Sequence, residues 1–320
     1  MSDSLFLFEP HAPEYKGKLQ RKLAELASEQ LYLGANSWKY EGWLDQVYTP
    51  ERYYWHGKFS RKKFEAECLA EYAETFPVVC GDFSFYQFPT DDFWRKLFTV
   101  DAPQSLRFAF KIPEEITLPA FPDHQRYGAR AGQRNPNFLN DQLLSNCFLK
   151  PLEPYQERVA VLIFEFGAFR QADAQVFEEF LQQLDAMFLT LPLWFRYAVE
   201  IRTAEFLDSE YFQLLQNHSV AHVFNSWTRM PPLAEQMALA NAFTADFSVS
   251  RAVLSPGQTY AEGNAFLPFK SIQVVKPDVR RALRDLLTRG RDRKEAVYVF
   301  VNNGLEGNAP GTIEAVVQTL

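Results

Sequence analysis

The chain has 320 residues, 47% of them hydrophobic and 23% charged, and 30 of them are Phe. That composition belongs to a globular protein with a large core and excludes disordered, collagenous and low-complexity classes. A formal charge of −7 disfavours a globally basic nucleic-acid binder, although a local basic patch is compatible with it.

No apolar run approaches the roughly 20 residues of a membrane-spanning helix. The opening MSDSLFLFEPHAPEYKGK has no basic region followed by an apolar core, so it does not read as a signal peptide. The three cysteines, Cys68, Cys80 and Cys147, form neither a disulfide framework nor a CxxC motif. A reducing, cytoplasmic setting is the expectation.

Residues 1–30 read as an N-terminal segment with an amphipathic helix at Lys16–Ser28. Eight short apolar or β-branched runs follow: Leu31–Ser37, Val78–Ser84, Leu106–Ile112, Val159–Phe166, Phe195–Ile201, Val220–Ser226, Phe243–Ser250 and Ala296–Asn302. Several are apolar at nearly every position, as parallel strands covered on both faces are. Helical periodicity predicts helices between them at Arg61–Phe76, Asp173–Phe188 and Pro277–Arg289, the last stopped by Gly290. Weaker helical patterns cover Glu205–Asn217 and Pro231–Asn241. Eight strands alternating with helices and no composition break predict one (β/α)8 TIM-type barrel over residues 31–320. An open doubly wound sheet is the alternative, but the GxGxxG fingerprint is absent.

Two connections exceed plain turns, Trp38–Ser60 after strand 1 and Pro113–Pro154 after strand 3. The first carries Trp38, Tyr40, Trp43, Tyr48, Tyr53, Tyr54 and Trp55, side chains suited to packing over the rim or to stacking on a ring. The second carries Arg126, Arg130 and Arg134, spaced by Gly128 and Gly132. It suits either a fold over an anion or a solvated basic loop.

Barrel active sites lie at the C-terminal strand ends. In several strands a small residue precedes a polar one by two positions: Gly34 and Asn36, Cys80 and Asp82, Ala109 and Lys111, Ala198 and Glu200. Period-two parity then points Asn36, Asp82, Lys111, Glu200 and, on strand 4, Glu165 into one mouth. Arg202 shares the parity of Glu200; strand 7 offers Arg251, and strand 8 Asn302 or Asn303. Opposed cations and carboxylates suit acid–base work or anion binding, and equally a set of buried ion pairs closing the barrel end.

The histidines, His11, His56, His124, His218 and His222, have no HExxH spacing, and His222 reads as a core residue. No cofactor is expected, although carboxylates such as Asp82, Glu165 and Glu200 are the right donors for Mg²⁺. There is no phosphate-binding Gly loop or GxSxG elbow, and Cys80 and Cys147 read as small buried hydrophobes rather than nucleophiles. The Gly/Asn-rich turn 301–310 opens toward a last helix from Thr312, suiting turn chemistry or an anion at the helix start.

The stretches LGANSW (33–38), FSFYQFP (83–89), FAFKIPEEIT (108–117), RYAVEIR (196–202) and VNNGLEGNAP (301–310) occur in one order along the chain. On these the chain resembles the YecE-like family of uncharacterised barrels, also called domain of unknown function 72. The resemblance implies a TIM-type barrel. It also implies cavity roles for Trp38, Tyr86, Lys111, Glu200, Arg202, Asn302 and Asn303, with Arg251 at the strand 7 position. One departure is Cys80 and Asp82, where the family usually reads Glu then Asn.

Three functions are weighed. The first is a metal-independent enzyme, a hydrolase or lyase, on an anionic small molecule or phosphoester. Lys111, Arg202 and Arg251 would orient the anion, and Glu200 or Asp82 would move a proton. The second is nucleic-acid binding or processing, disfavoured by the net charge. The third is a non-catalytic ligand-binding barrel, motivated by Cys80 and Asp82. Oligomeric state is not legible in the sequence.

Overall fold

The structure, a computed structural model, describes residues 12–169 and 173–320. The opening segment to residue 11, with His11, lies outside the described residues. Eight parallel strands form a nearly closed barrel. They are β1 (Leu31–Ala35), β2 (Val78–Gly81), β3 (Arg107–Lys111), β4 (Val159–Phe166), β5 (Tyr197–Ile201), β6 (Ala221–Ser226), β7 (Phe247–Ala252) and β8 (Ala296–Val301). Each pairs with its chain neighbour from β2 to β8, and β8 pairs with β1. The main helices outside are α1 (Ala12–Ser28), α2 (Arg61–Thr75), α3 (Ala174–Phe188), α4 (Ser209–Asn217), α5 (Pro277–Arg293) and α6 (Ala309–Val317).

The seam between β1 and β2 is closed by a side chain. The Ala35 N–H donates to the Tyr72 hydroxyl at 2.8 Å, and that hydroxyl donates to the Val78 carbonyl at 3.0 Å. The strands approach so closely that a Cβ on Gly34 would lie 1.8 Å from the Val78 oxygen. Glycine is required there for contact, not for a turn.

Inward parity fills the barrel with Cys80, Ala109, Val161, Ile163, Ala198, Val223, Val249 and Phe300, above Tyr32, Phe247 and Tyr298. Large residues such as Phe108, Phe110, Phe164 and Phe166 face the helices. The two apolar layers on either side of the sheet explain why these strands read as continuous apolar runs.

Several boundaries differ from the sequence expectation. Asp82 already has helical φ/ψ and Phe83–Tyr86 is a helical turn, so β2 stops at Gly81 and not at Ser84. The Ser84 hydroxyl locks that turn by donating to the Lys111 carbonyl at 2.7 Å. β7 lies later than Phe243–Ser250, which places Arg251 inside the strand. Helix α5 runs through Gly290 and ends at Lys294 in the left-handed region. Gly290 is there for packing, since a Cβ would lie 2.2 Å from Val297 Cγ2. The helical pattern over Pro231–Asn241 narrows to Leu233–Ala238.

Both long connections are ordered. In the first, Trp43, Tyr48 and Tyr53 are buried. Glu71 of α2 accepts from the Thr49 amide and hydroxyl, from the Tyr53 hydroxyl and from Lys16. In the second, Asn135 donates to the Glu115 and Leu118 carbonyls, both at 2.8 Å. A buried carboxylate and a buried amide do the tethering that regular secondary structure does elsewhere.

Candidate functional site at the barrel mouth

Six charged side chains meet above the apolar filling. In the β4–β5 register Glu165 lies directly beside Glu200, two like charges on adjacent strands. Such a pair is tolerated only with shared counter-charges. Arg251 supplies one: its Nη1 contacts both Glu165 Oε2, at 2.6 Å, and Glu200 Oε2. Arg202 supplies the other, with Nη2 at 2.9 Å from Glu165 and 2.8 Å from Glu200. Lys111 Nζ lies 3.2 Å from Glu165 and 3.3 Å from Asp82. Three cations thus answer three carboxylates.

Burial alone would favour the neutral form of Glu165, but Arg202, Lys111 and Arg251 outweigh it and hold its carboxyl well below the usual range. Burial also works against the charges of Lys111 and Arg251. Glu165 and Asp82 reverse this for Lys111, and Glu200 and Glu165 for Arg251, so both cations bind their protons more tightly than usual. Cys80, beneath the cluster, has its thiol pushed up to about 12 by burial, which leaves it unreactive.

Accessibility divides the six. Glu200 and Arg251 are sealed, and Lys111 and Glu165 nearly so. Asp82 keeps 37% of its side-chain surface and Arg202 12%. These two are the members of the cluster most open to solvent. A cavity of about 270 Å³ opens beside Asp82, bounded by Trp38, Lys39, Phe83 and Phe93.

The remaining expected residues are distributed around the cluster. Asn36 follows β1 and is buried, with neither side-chain polar atom hydrogen-bonded to the protein. Trp38 lies edge-on to Phe83, 6.2 Å away, in the cavity wall. Tyr86 is 58% exposed at the rim, 5.0 Å from Arg126. The arginine loop is not a free cationic arm. Arg126 pairs with Glu114 at 2.5 Å and Arg130 with Glu115 at 2.8 Å, so the acids of the PEE stretch neutralise two of its three arginines. Asn302 caps the turn after β8 through Gly304 N–H. The Asn303 side-chain oxygen Oδ1 accepts from Trp43 Nε1 and the Ala309 amide. Both asparagines therefore brace loops.

Four neighbours were not legible as site residues. The Arg202 guanidinium lies 3.7 Å from the Trp227 ring centre, and Lys111 Nζ 4.0 Å from that of Phe85. Tyr260 meets Trp227 edge-on and feels the charges of Arg202 and Glu165. Asn225 shares inward parity with Val223 and donates to the Ile201 carbonyl at 2.8 Å. Parity alone could have found Asn225; the three aromatics sit on turns beyond the strands, where parity carries no information.

Among the described residues no three His, Cys, Asp or Glu side chains are grouped to hold a metal ion. His222 packs among Tyr211, Phe212 and Phe224, and burial lowers its pKa to about 3.

An eight-stranded barrel with a compensated charge cluster at its C-terminal end defines the class. The chain belongs to the family described as protein of unknown function DUF72, whose model matches residues 32–320. It is similar in structure to a DUF72 family protein from Thermotoga maritima MSB8, at 18% identity and a TM-score of 0.59, covering 90% of this chain and 96% of that one. A DUF72 family protein from Enterococcus faecalis V583 gives 16% identity and a TM-score of 0.57, covering 90% and 95%. Both likenesses speak to the fold. No curated protein matches the chain.

Proposed function

We propose that the mouth is the active site of an enzyme performing acid–base chemistry on a small anionic molecule such as a phosphoester. The observation that carries this is the buried cluster itself. Removing Glu165, Glu200, Lys111 and Arg251 from water costs several kcal/mol per ion, and such clusters are poor sources of stability compared with apolar packing. An ion cluster at the C-terminal end of a barrel is where fold and chemistry coincide.

The roles follow from access. Asp82, half-buried and 3.3 Å from Lys111, is the carboxylate placed to move a proton. Lys111 positions Asp82 and supplies positive charge. Glu200 and Glu165, enclosed by both arginines, orient Arg202 and Arg251. Arg202, with its guanidinium carbon 3.7 Å from the Trp227 ring centre, spends Nε and Nη2 on the two glutamates and keeps Nη1 for the anion. The Asn36 amide has hydrogen-bonding capacity left for a polar ligand. No cofactor enters these roles.

The test is a screen of phosphomonoesters, phosphodiesters and sugar phosphates, with and without added Mg²⁺, followed by Asp82→Asn and Arg202→Gln. A proton-moving group is worth roughly 10²–10⁴-fold. Asp82→Asn should lose that much in kcat, and Arg202→Gln should mainly raise KM. Undiminished turnover in both variants sinks the proposal. A strict Mg²⁺ requirement would replace its metal-independent form.

A further inference from the structure

The opposite end of the barrel has a concavity of its own. A cavity of about 1220 Å³ opens at the N-terminal strand ends, beneath Tyr32 of β1, Arg107 of β3 and Phe247 of β7. In this fold that end ordinarily serves stability.

Tyr32 and Phe247 give the floor an aromatic lining, backed by the buried Tyr298. Tyr32 and Tyr298 are stacked, with centroids 5.1 Å apart and planes within 10°. Phe247 meets Tyr298 edge-on at 6.4 Å. Arg107 lies 5.4 Å from the Tyr32 ring centre and Arg196 lies 5.8 Å from that of Phe247. Both guanidiniums also act on the Tyr298 phenol, so they converge on one ring. Trp194, 55% exposed, stands in the cavity wall.

The contrast with the mouth decides the reading. There, every cation touches a carboxylate. Here, among the described residues, neither Arg107 nor Arg196 has a carboxylate partner. Arg158, the third arginine of this cavity, donates to the neutral carbonyls of Leu106 and Pro103 and to Gln104. Its orientation is fixed while its charge is uncancelled, and burial lowers its pKa. Glu157 and Asp246 border the same cavity without pairing with any of the three arginines. Uncompensated arginines held over rings form a planar, preorganised donor set that matches oxyanions.

We propose that this N-terminal cavity is a second ligand site, in which Arg107 and Arg196 hold the phosphate group of a small molecule over the Tyr32–Tyr298 stack. It is independent of the chemistry proposed at the mouth.

Inorganic pyrophosphate is the probe, titrated calorimetrically into the full chain at low ionic strength. Arg202→Gln serves as the background, because it weakens any anion contact at the mouth. Binding should persist in Arg202→Gln. It should weaken at least about tenfold when Arg107→Gln or Arg196→Gln is added, about 1.4 kcal/mol per variant. Both arginines lie at the surface of the cavity, so melting temperatures report whether the fold is kept. Added salt should weaken the wild-type interaction. Absence of binding to the wild type, loss of binding in Arg202→Gln alone, or equal binding with and without Arg107 and Arg196 overturns the proposal.

Discussion

Removal of Arg251 tests the charge balance at the mouth most directly. Its Nη1 is shared between Glu165 and Glu200, which stand side by side, and its Nη2 is 3.8 Å from Asp82. Arg251→Met keeps the bulk and leaves two cations against three carboxylates, all but Asp82 sealed from water. Breaking a buried ion pair from one side costs about 3–5 kcal/mol. Unfolding entropy of roughly 2.1 cal/mol/K per residue amounts to about 0.7 kcal/mol/K for a chain of this length. The melting temperature should therefore fall by about 4–7 °C, read by scanning calorimetry. Adding Glu200→Gln restores two against two and should recover more than half of the loss. A fall of less than about 1.5 °C, or a double variant no better than the single one, refutes this account of the cluster.

Glu165 makes the cluster's contribution pH-dependent. Its folded pKa is depressed by Arg202, Lys111 and Arg251, so the stability it contributes is present above the unfolded carboxylate pKa of about 4.3 and is lost as pH falls through the folded value. Glu165→Gln should lower stability at neutral pH and flatten the acid limb of a stability–pH curve. Tyr72→Phe leaves the buried Ala35 N–H and Val78 carbonyl without their hydroxyl partner and should cost about 1–3 kcal/mol, with faster hydrogen exchange at Ala35. Cys147 is exposed and not buried as its sequence context suggests, so of the three thiols only it should react with a thiol reagent in the native protein. Cys68 and Cys80, buried and with thiols pushed up to about 12, should react after denaturation.

The alternation of strands and helices, and the inward parity of Asn36, Lys111, Glu165 and Glu200, were legible in the chain. A parallel strand has a strict two-residue period and two buried faces, so a small residue followed by a polar one two positions later marks the axis and the mouth. Strand ends were less legible. Asp82 turns into a helical segment because Ser84 finds the Lys111 carbonyl 27 positions away, a partner that no local pattern contains. Gly290 reads as a helix stop in one dimension, and only Val297 packing against it shows why the helix continues.

The sequence by itself determined the eight-stranded barrel and the set of charged residues near one end, because both follow from local periodicity. Tertiary structure alone decided how those charges meet. The β4–β5 register sets Glu165 beside Glu200, and two shared arginines become necessary. Glu114 and Glu115 pair with Arg126 and Arg130, two of the three arginines of the loop that composition presented as cationic. Arg107, Arg158 and Arg196, scattered along the chain, gather uncompensated at the other end. Net charge belongs to the composition, but which charges are cancelled depends on distances of a few ångströms that only the folded chain sets.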